Sequence, residues 1–270
     1  MNLINLITGE GYKIITFPDG EKHLKLDELN RKEQVYIKCR ITNSDDLFIL
    51  MQLSDVLRRQ EVEVNSLEIW YLMGMRCDRL FSLNEPFSLK IIADVINSFN
   101  ALWVNIVEPH SDKTSYLIDN VDSVGIMDDT VETLLLHGYT ACMPDEGAAR
   151  RYSVNNGILC GKERDVETGK LKKFFIKSAP VIASKIVVYD DLCDGGGTFI
   201  GIAELLKKEY NPKELVLVVT HAVQMAGIKR VAEVYDKVYI SNSYKDWHLS
   251  EDLPSNVNVI NIGLCSILST

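Results

Sequence analysis

No stretch of the 270-residue chain is apolar for long enough to cross a membrane, and the N-terminus, MNLINLITGEGYK, lacks the basic region and apolar core of a secretory signal. A cytoplasmic protein without a membrane partner is expected. Positive charge is scarce: 29 Lys and Arg face 38 Asp and Glu, a formal net charge of -9. Such a field repels nucleic acid and anionic lipid, so a phosphate-bearing ligand must be gripped by local cations, backbone amides or a divalent ion. The six cysteines form no C-x-x-C pair and no zinc spacing. They read as reduced thiols in or beside apolar strands, which excludes a disulfide-stapled secreted domain. Internal repeats, low-complexity stretches and a Pro/Gly-rich linker are missing as well.

What is present is a core of ample size. At 46% apolar composition the chain can bury one large core or two modest ones, and at this length two α/β lobes are expected. Short β-rich runs alternate with amphipathic stretches: VYIKCR then DDLFILMQLSDVLRRQ, LEIWYL then SLKIIADVINSF, then LWVNIVEP. A second set runs through YTACMP, IVVYDD, TFIGIAELLKK, LVLVVTH, AGIKRVAEVY, KVYISNS and VNVINIG. This is the pattern of βαβ units, which predicts mostly parallel sheets with helices on both faces. The lobes are expected to divide after VETLLLHG, giving residues 1–139 and 140–255, with a C-terminal segment at 256–270. Residues 161–180, GKERDVETGKLKKFFIKSAP, are strongly charged and read as a solvated hairpin or loose loop of the kind that serves as a catalytic lid.

Residues 186–199, IVVYDDLCDGGGTF, carry the chemistry most plainly. A β-branched run, short as in a buried parallel strand, leads into Asp190 and Asp191, then Asp194, three glycines and Thr198, and then a helix-like stretch. Gly195, Gly196 and Gly197 allow the backbone to turn its N–H groups onto an anion at a helix N-terminus, where the dipole also favours negative charge. Just upstream, the paired carboxylates can accept hydrogen bonds from vicinal sugar hydroxyls or hold Mg²⁺. A glycine hinge beside two solvated aspartates is the plainer alternative; the combination of strand, acidic pair, glycines, threonine and helix favours a ribose phosphate site.

That segment resembles the phosphoribosyl diphosphate (PRPP) loop shared by type I phosphoribosyltransferases and ribose-phosphate pyrophosphokinases. Six further segments, in family order, resemble the pyrophosphokinases. FPDGE at 17–21 is similar to their F-x-D/N-G/x-E segment, YLMGMRCDR at 71–79 to Y-x-x-x-A-R-Q-D-R/K, and EPH at 108–110 to D-L-H. MPDEG at 143–147 is similar to S-P-D-x-G, GKER at 161–164 to the catalytic K-x-R, and THAVQMAG at 220–227 to A-T-H-x-x-F-S-G. The chain looks like a divergent member with less sequence ahead of FPDGE than the family usually has.

The resemblance implies two phosphoribosyltransferase-like lobes, with the C-terminal segment returning to the first. It implies Mg²⁺-dependent transfer of the β,γ-diphosphate of ATP to the C1 hydroxyl of ribose 5-phosphate, giving PRPP and AMP. A homo-oligomer is implied too, since in the family FPDGE reaches a neighbouring subunit's site. Lys162 and Arg164 would be the catalytic cations; alternate strand residues project to one side, so both can point at one phosphate chain. Phe17, Asp19, Glu21, Arg76, Asp78 and His110 would bind ATP, and His110 and Asp145 would hold the metal. Asp190, Asp191, Asp194, Gly195, Gly196, Gly197 and Thr198 would hold the ribose phosphate.

Three departures stand out. Glu108 replaces an aspartate of equal charge. Cys77 stands where glutamine is usual, and a thiol is a weak hydrogen-bond partner, so adenine recognition is expected to differ. Gly195 replaces a threonine whose hydroxyl helps hold the 5-phosphate. Its loss weakens the grip on a terminal phosphate but opens room, so a substituted acceptor such as ADP-ribose is the alternative substrate; its product, ADP-ribose pyrophosphate, would serve NAD salvage. FPDGE and the RCDR segment argue against a PRPP-consuming phosphoribosyltransferase. Retention of His110, Asp145, Lys162, Arg164 and the acidic pair argues against a non-catalytic paralogue.

Overall fold

The computed structural model describes residues 1–80, 82–152, 157–164, 171–179 and 182–264. The chain forms two units, one covering Met1–Gly125 and one beginning at Ile126.

The first unit contains β1 (Asn2–Asn5), a hairpin of β2 (Tyr12–Thr16) and β3 (Lys22–Leu26), β4 (Val35–Ile41), α1 (Ser44–Gln60), β5 (Val64–Leu72), α2 (Ser88–Asn97), β6 (Trp103–Val107), α3 (Thr114–Leu117) and β7 (Val121–Val124). Its five-stranded sheet is parallel throughout, in the order β1-β4-β5-β6-β7. Helix α1 shows how local sequence sets an element. The Asn43 side chain accepts hydrogen bonds from the amides of Asp45 and Asp46, acidic residues occupy the first turn, and Arg58 and Arg59 occupy the last. Because strand order always advances in one direction, right-handed crossovers put the helices on one face, and α2 touches both α1 and α3. β4 accordingly alternates, burying Val35, Ile37, Cys39 and Ile41 but leaving Tyr36, Lys38 and Arg40 half-buried. The expectation of helices on both faces therefore does not hold within this unit. Its second face is a polar one, where Lys38 Nζ lies 3.2 Å from Glu68 Oε2 and the Arg40 guanidinium sits 5.1 Å from the Trp70 ring.

The second unit contains α4 (Asp128–Leu136), β8 (Thr140–Met143), α5 (Glu146–Tyr152), β9 (Ile158–Arg164), β10 (Leu171–Ser178), β11 (Lys185–Cys193), α6 (Gly197–Tyr210), β12 (Glu214–Ala222), α7 (Met225–Ala232), β13 (Lys237–Ser241) and β14 (Val257–Ile260). The sheet order is β10-β9-β8-β11-β12-β13-β14, parallel except for the antiparallel β9–β10 pair. Here both faces are covered. Ile186, Val188, Leu217 and Val219 face a core shared with Ile202 and Leu206 of α6 and Ile228 and Val231 of α7. Each such side chain contributes about 1.5–3 kcal/mol by leaving water. On the other face Val187, Tyr189, Val216 and Val218 are equally buried, and Tyr189 Oη donates to Asp128 Oδ1 at the start of α4 over 3.1 Å.

That contact explains why the division between units falls at 125/126, ahead of the expected 139/140: α4 packs on β11 rather than on the first sheet. β14, from the segment expected to return to the first lobe, is an edge strand of the second sheet; residues 265–270 lie outside the described residues. The charged stretch at 161–180 contains an antiparallel strand pair, with Lys162 opposite Phe174.

Candidate active site

The second sheet changes direction between β8 and β11. From β8 the chain continues through α5 to β9 on one side, and from β11 through α6 to β12 on the other. Open α/β sheets bind ligands at the carboxyl ends of the strands flanking such a point. Three of the expected elements meet there. Asp145 follows β8, Asp190 and Asp191 lie in the carboxyl-terminal half of β11, and the glycine run leads into α6.

Asp145 caps α5: its Oδ1 accepts from the amides of Gly147 at 2.9 Å and Ala148 at 3.1 Å. Its Oδ2 accepts from Lys162 Nζ at 3.0 Å, both side chains being about 30% exposed (31% and 30%). Burial alone would raise this carboxyl; the Lys162 ammonium and the two amides outweigh it and hold the group below the usual carboxylate range. Arg164 is on the same strand as Lys162, and its side chain lies outside the described residues.

At the far end of α5 stands a residue that sequence reasoning missed. Arg151 donates to Asp190 Oδ1 at 3.0 Å and to Asp191 Oδ1 at 2.6 Å, and the neighbouring Tyr152 ring stacks on Tyr189 with centroids 3.8 Å apart. Asp191 is 1% exposed and the Arg151 side chain 17%. Burial pushes the Asp190 carboxyl well above its ordinary range, with the adjacent Asp191 charge adding to the effect and Arg151 opposing it. For Arg151, burial would lower the guanidinium, but the charges of Asp191 and Asp190 prevail and raise it. A single α5 thus carries Asp145 at its start and the counter-ion of the acidic pair at its end. Only the chance adjacency of Arg150 and Arg151 in EGAARRY hinted at this.

The glycine loop is bound to α7. Gly196 takes φ +77, the left-handed region that glycine tolerates. A Cβ on Gly227 would lie 1.8 Å from the Asp194 carbonyl oxygen, so only glycine allows α7 this close. Gln224 donates to the Asp194 carboxylate, and Arg230 Nη1 donates to the Gly195 carbonyl at 2.7 Å. Helix α6 starts at Gly197 with no side-chain hydrogen bond on its first amides, and Thr198 is in that first turn. Those amides are oriented for an anion. Beneath them burial, with the charges of Asp194 and Asp190, pushes the Cys193 thiol up to about 12, which leaves it an inert core residue.

In the first unit, the carboxyl ends of β5 and β6 bring two other segments together. Asp78 Oδ2 accepts from Ser111 Oγ at 2.8 Å, Lys113 Nζ donates to the Asp78 carbonyl at 2.8 Å, and the His110 amide lies 3.1 Å from Met75 Sδ. Arg79 pairs with Asp78 at 2.8 Å and holds that carboxyl below its usual range. Arg76 and Cys77 are exposed. FPDGE forms the β2–β3 turn: the Phe17 amide donates to the Glu21 carbonyl at 2.8 Å, the Glu21 amide to Asp19 Oδ1 at 3.1 Å, and Gly20 takes φ +92. Phe17 is 44% exposed at its tip. No group of three or more His, Cys, Asp or Glu side chains among the described residues forms a metal cluster. Asp145 nonetheless fits Mg²⁺, which is commonly held by one or two carboxylates together with substrate phosphates and water.

No protein-family model matches the chain. It is similar to the ribose-phosphate pyrophosphokinase of Mycoplasma genitalium, 27% identical over 244 residues that cover 84% of this chain and 73% of that one. It is also similar to the ribose-phosphate pyrophosphokinase of Pyrococcus abyssi, 25% identical over 271 residues, covering 97% and 88%. The crystal structure of phosphoribosylpyrophosphate synthetase from Mycobacterium smegmatis shares the fold with a TM-score of 0.79 at 19% identity, covering 97% of this chain and 95% of that one. The fold is that of two phosphoribosyltransferase-like α/β lobes. In sequence the chain is similar, at low identity, to the ribose-phosphate pyrophosphokinases.

Proposed function

We propose that the chain transfers the β,γ-diphosphate of ATP to the anomeric hydroxyl of ribose 5-phosphate in a Mg²⁺-dependent reaction, giving PRPP and AMP. The observation that carries this reading is α5, which joins the Lys162–Asp145 pair to the Asp190–Asp191 pair at the switch point of one sheet. The acceptor's 5-phosphate rests on the amides of Gly195, Gly196, Gly197 and Thr198, and its ring hydroxyls donate to the acidic pair. Asp145 would hold Mg²⁺, and the ion would neutralise phosphate charge; His110 is a proposed ATP contact of the first unit. Lys162 and Arg164 stabilise charge developing on the transferred diphosphate. The first unit supplies contacts to ATP through Phe17, Asp19, Glu21, Arg76 and Asp78.

Incubation with ATP, Mg²⁺ and each acceptor, followed by mass identification of products, tests the reading. AMP is the expected nucleotide product because the attack is on the β-phosphorus. Stoichiometric ADP with a phosphorylated acceptor would overturn it.

A second reading, the same chemistry on ADP-ribose, is favoured by Gly195. This residue is not in the positive-φ region, and a Cβ there would meet only Arg230 Nη1, at 3.9 Å. The backbone therefore does not require glycine here, and the missing side chain leaves space. Gly195→Thr should fold normally and add a hydroxyl partner for a free 5-phosphate. The ratio of kcat/KM for ribose 5-phosphate over ADP-ribose is expected to rise by a factor of about 10, the scale of one charge-assisted hydrogen bond. An unchanged ratio would show that position 195 does not select the acceptor.

A further inference from the structure

We propose that Arg230 is the specificity-determining cation of the acceptor site, binding the phosphate on the sugar's 5-position in place of the side chain that Gly195 lacks. The proposal rests on the glycine loop being the acceptor site. Its own observations concern the wall of that loop. The direction in which a side chain at position 195 would extend leads to Arg230 Nη1, 3.9 Å from the Cβ position, with no other heavy atom within 4 Å. The guanidinium is held at the loop by one hydrogen bond, from Nη1 to the Gly195 carbonyl at 2.7 Å. Arginine has five N–H donors in a planar fork matched to phosphate, and this bond uses one of them.

The backbone that carries Arg230 is fixed, while its side chain is exposed at the loop. The residue projects from α7, which Gly227 fixes against the Asp194 carbonyl, and it stands one residue before Val231, a buried member of the core. The neighbouring cation of α7, Lys229, faces elsewhere and lies 3.4 Å from Asp252. The loop's other side chains bring negative charge, from Asp190, Asp191 and Asp194. With Arg151 committed to Asp190 and Asp191, a dianionic phosphate in the loop would otherwise have only backbone amides and the Thr198 hydroxyl beside a third acid, Asp194. A guanidinium in the position left open at 195 supplies the missing charge, and it suits a free phosphate and the first phosphate of a diphosphate alike.

The test uses the full chain and the variants Arg230→Gln and Arg230→Lys, with ribose 5-phosphate, ADP-ribose and unphosphorylated ribose as probes. For whichever phosphorylated acceptor the wild type turns over, Arg230→Gln is expected to raise its KM about tenfold or more with kcat and the KM for ATP little changed. Arg230→Lys should recover part of the loss, and binding of ribose should be the same in all three proteins, because its hydroxyls go to the acidic pair. A KM within twofold of wild type in Arg230→Gln would overturn the proposal. So would equal weakening of ribose, which would mean that Arg230 only shapes the loop. If the wild type turned over neither acceptor, the functional reading would fail, and calorimetric binding of ribose 5-phosphate would decide Arg230 separately: weaker in Arg230→Gln supports it, equal affinity overturns it.

Discussion

Lys162→Ala is expected to lower kcat by about 10²-fold or more while changing the KM for ATP little. The lysine stands on β9 at the carboxyl-end side of the sheet, with its ammonium 3.0 Å from Asp145 Oδ2. In that position it does two things. It keeps Asp145 ionised, below the usual carboxylate range, and so ready for a cation. In the proposed reaction it would also present a charge at the switch point, where the transferred diphosphate would have to spread the charge that builds up as the β-phosphorus changes partners. Substrate binding samples the second role only weakly, because ground-state ATP already has Mg²⁺ and solvent. The loss therefore falls on kcat. Arg164→Ala, two residues along the same strand, is expected to behave alike. Steady-state kinetics with saturating acceptor separate the two constants. Full turnover in both variants would return GKER to the status of an ordinary charged hairpin.

The parts of the site that were legible in the sequence are those written contiguously. The acidic pair, the glycines and the helix start occupy residues 190–198, and the chain cannot form that strand-to-helix turn without bringing them together. Asp145 was legible for the same reason, since it caps the helix that begins one residue later. What stayed hidden depends on tertiary approach. Arg151 meets the acidic pair across 39 and 40 residues, and Arg230 meets Gly195 across 35. In one dimension both look like surface charges near a helix end. The unit boundary was misjudged on the same principle. VETLLLHG is amphipathic whichever sheet it covers, and the Tyr189–Asp128 hydrogen bond, which ties α4 to the second, joins residues 61 positions apart. That helices cover one face of the first sheet left a partial trace: VYIKCRI alternates apolar and polar residues, whereas the next strand, β5, is buried on both faces.

Arg151→Met is expected to destabilise the protein by about 3 kcal/mol, the lower end for removing one partner of a buried ion pair, and to lower Tm by roughly 10 °C. Methionine retains an unbranched side chain of similar length but removes the guanidinium, its two hydrogen bonds to the acidic pair and its place over the Tyr152 ring, 5.9 Å from the centroid. Two carboxylates, one of them 1% exposed, then face each other without a cation. The deficit must grow with pH. Asp190 already binds its proton more tightly in the fold than in the unfolded chain, because of burial and then the Asp191 charge, and Arg151 restrains that shift. A raised acid favours the native state at low pH and loses that advantage as pH climbs from the ordinary carboxylate value, about 3.9, through the folded value. Removing Arg151 extends the window upward, so the variant should fall further behind the wild type at pH 8 than at pH 4, near the ordinary carboxylate value. Adding Asp190→Asn to Arg151→Met removes one of the opposed charges, and the double variant should regain part of the lost Tm and lose the pH dependence. Thermal unfolding followed by circular dichroism across that range reads both effects. A deficit that is the same at both pH values, or that the second substitution deepens, would mean that Arg151 contributes by packing alone and not as the counter-ion of the acidic pair.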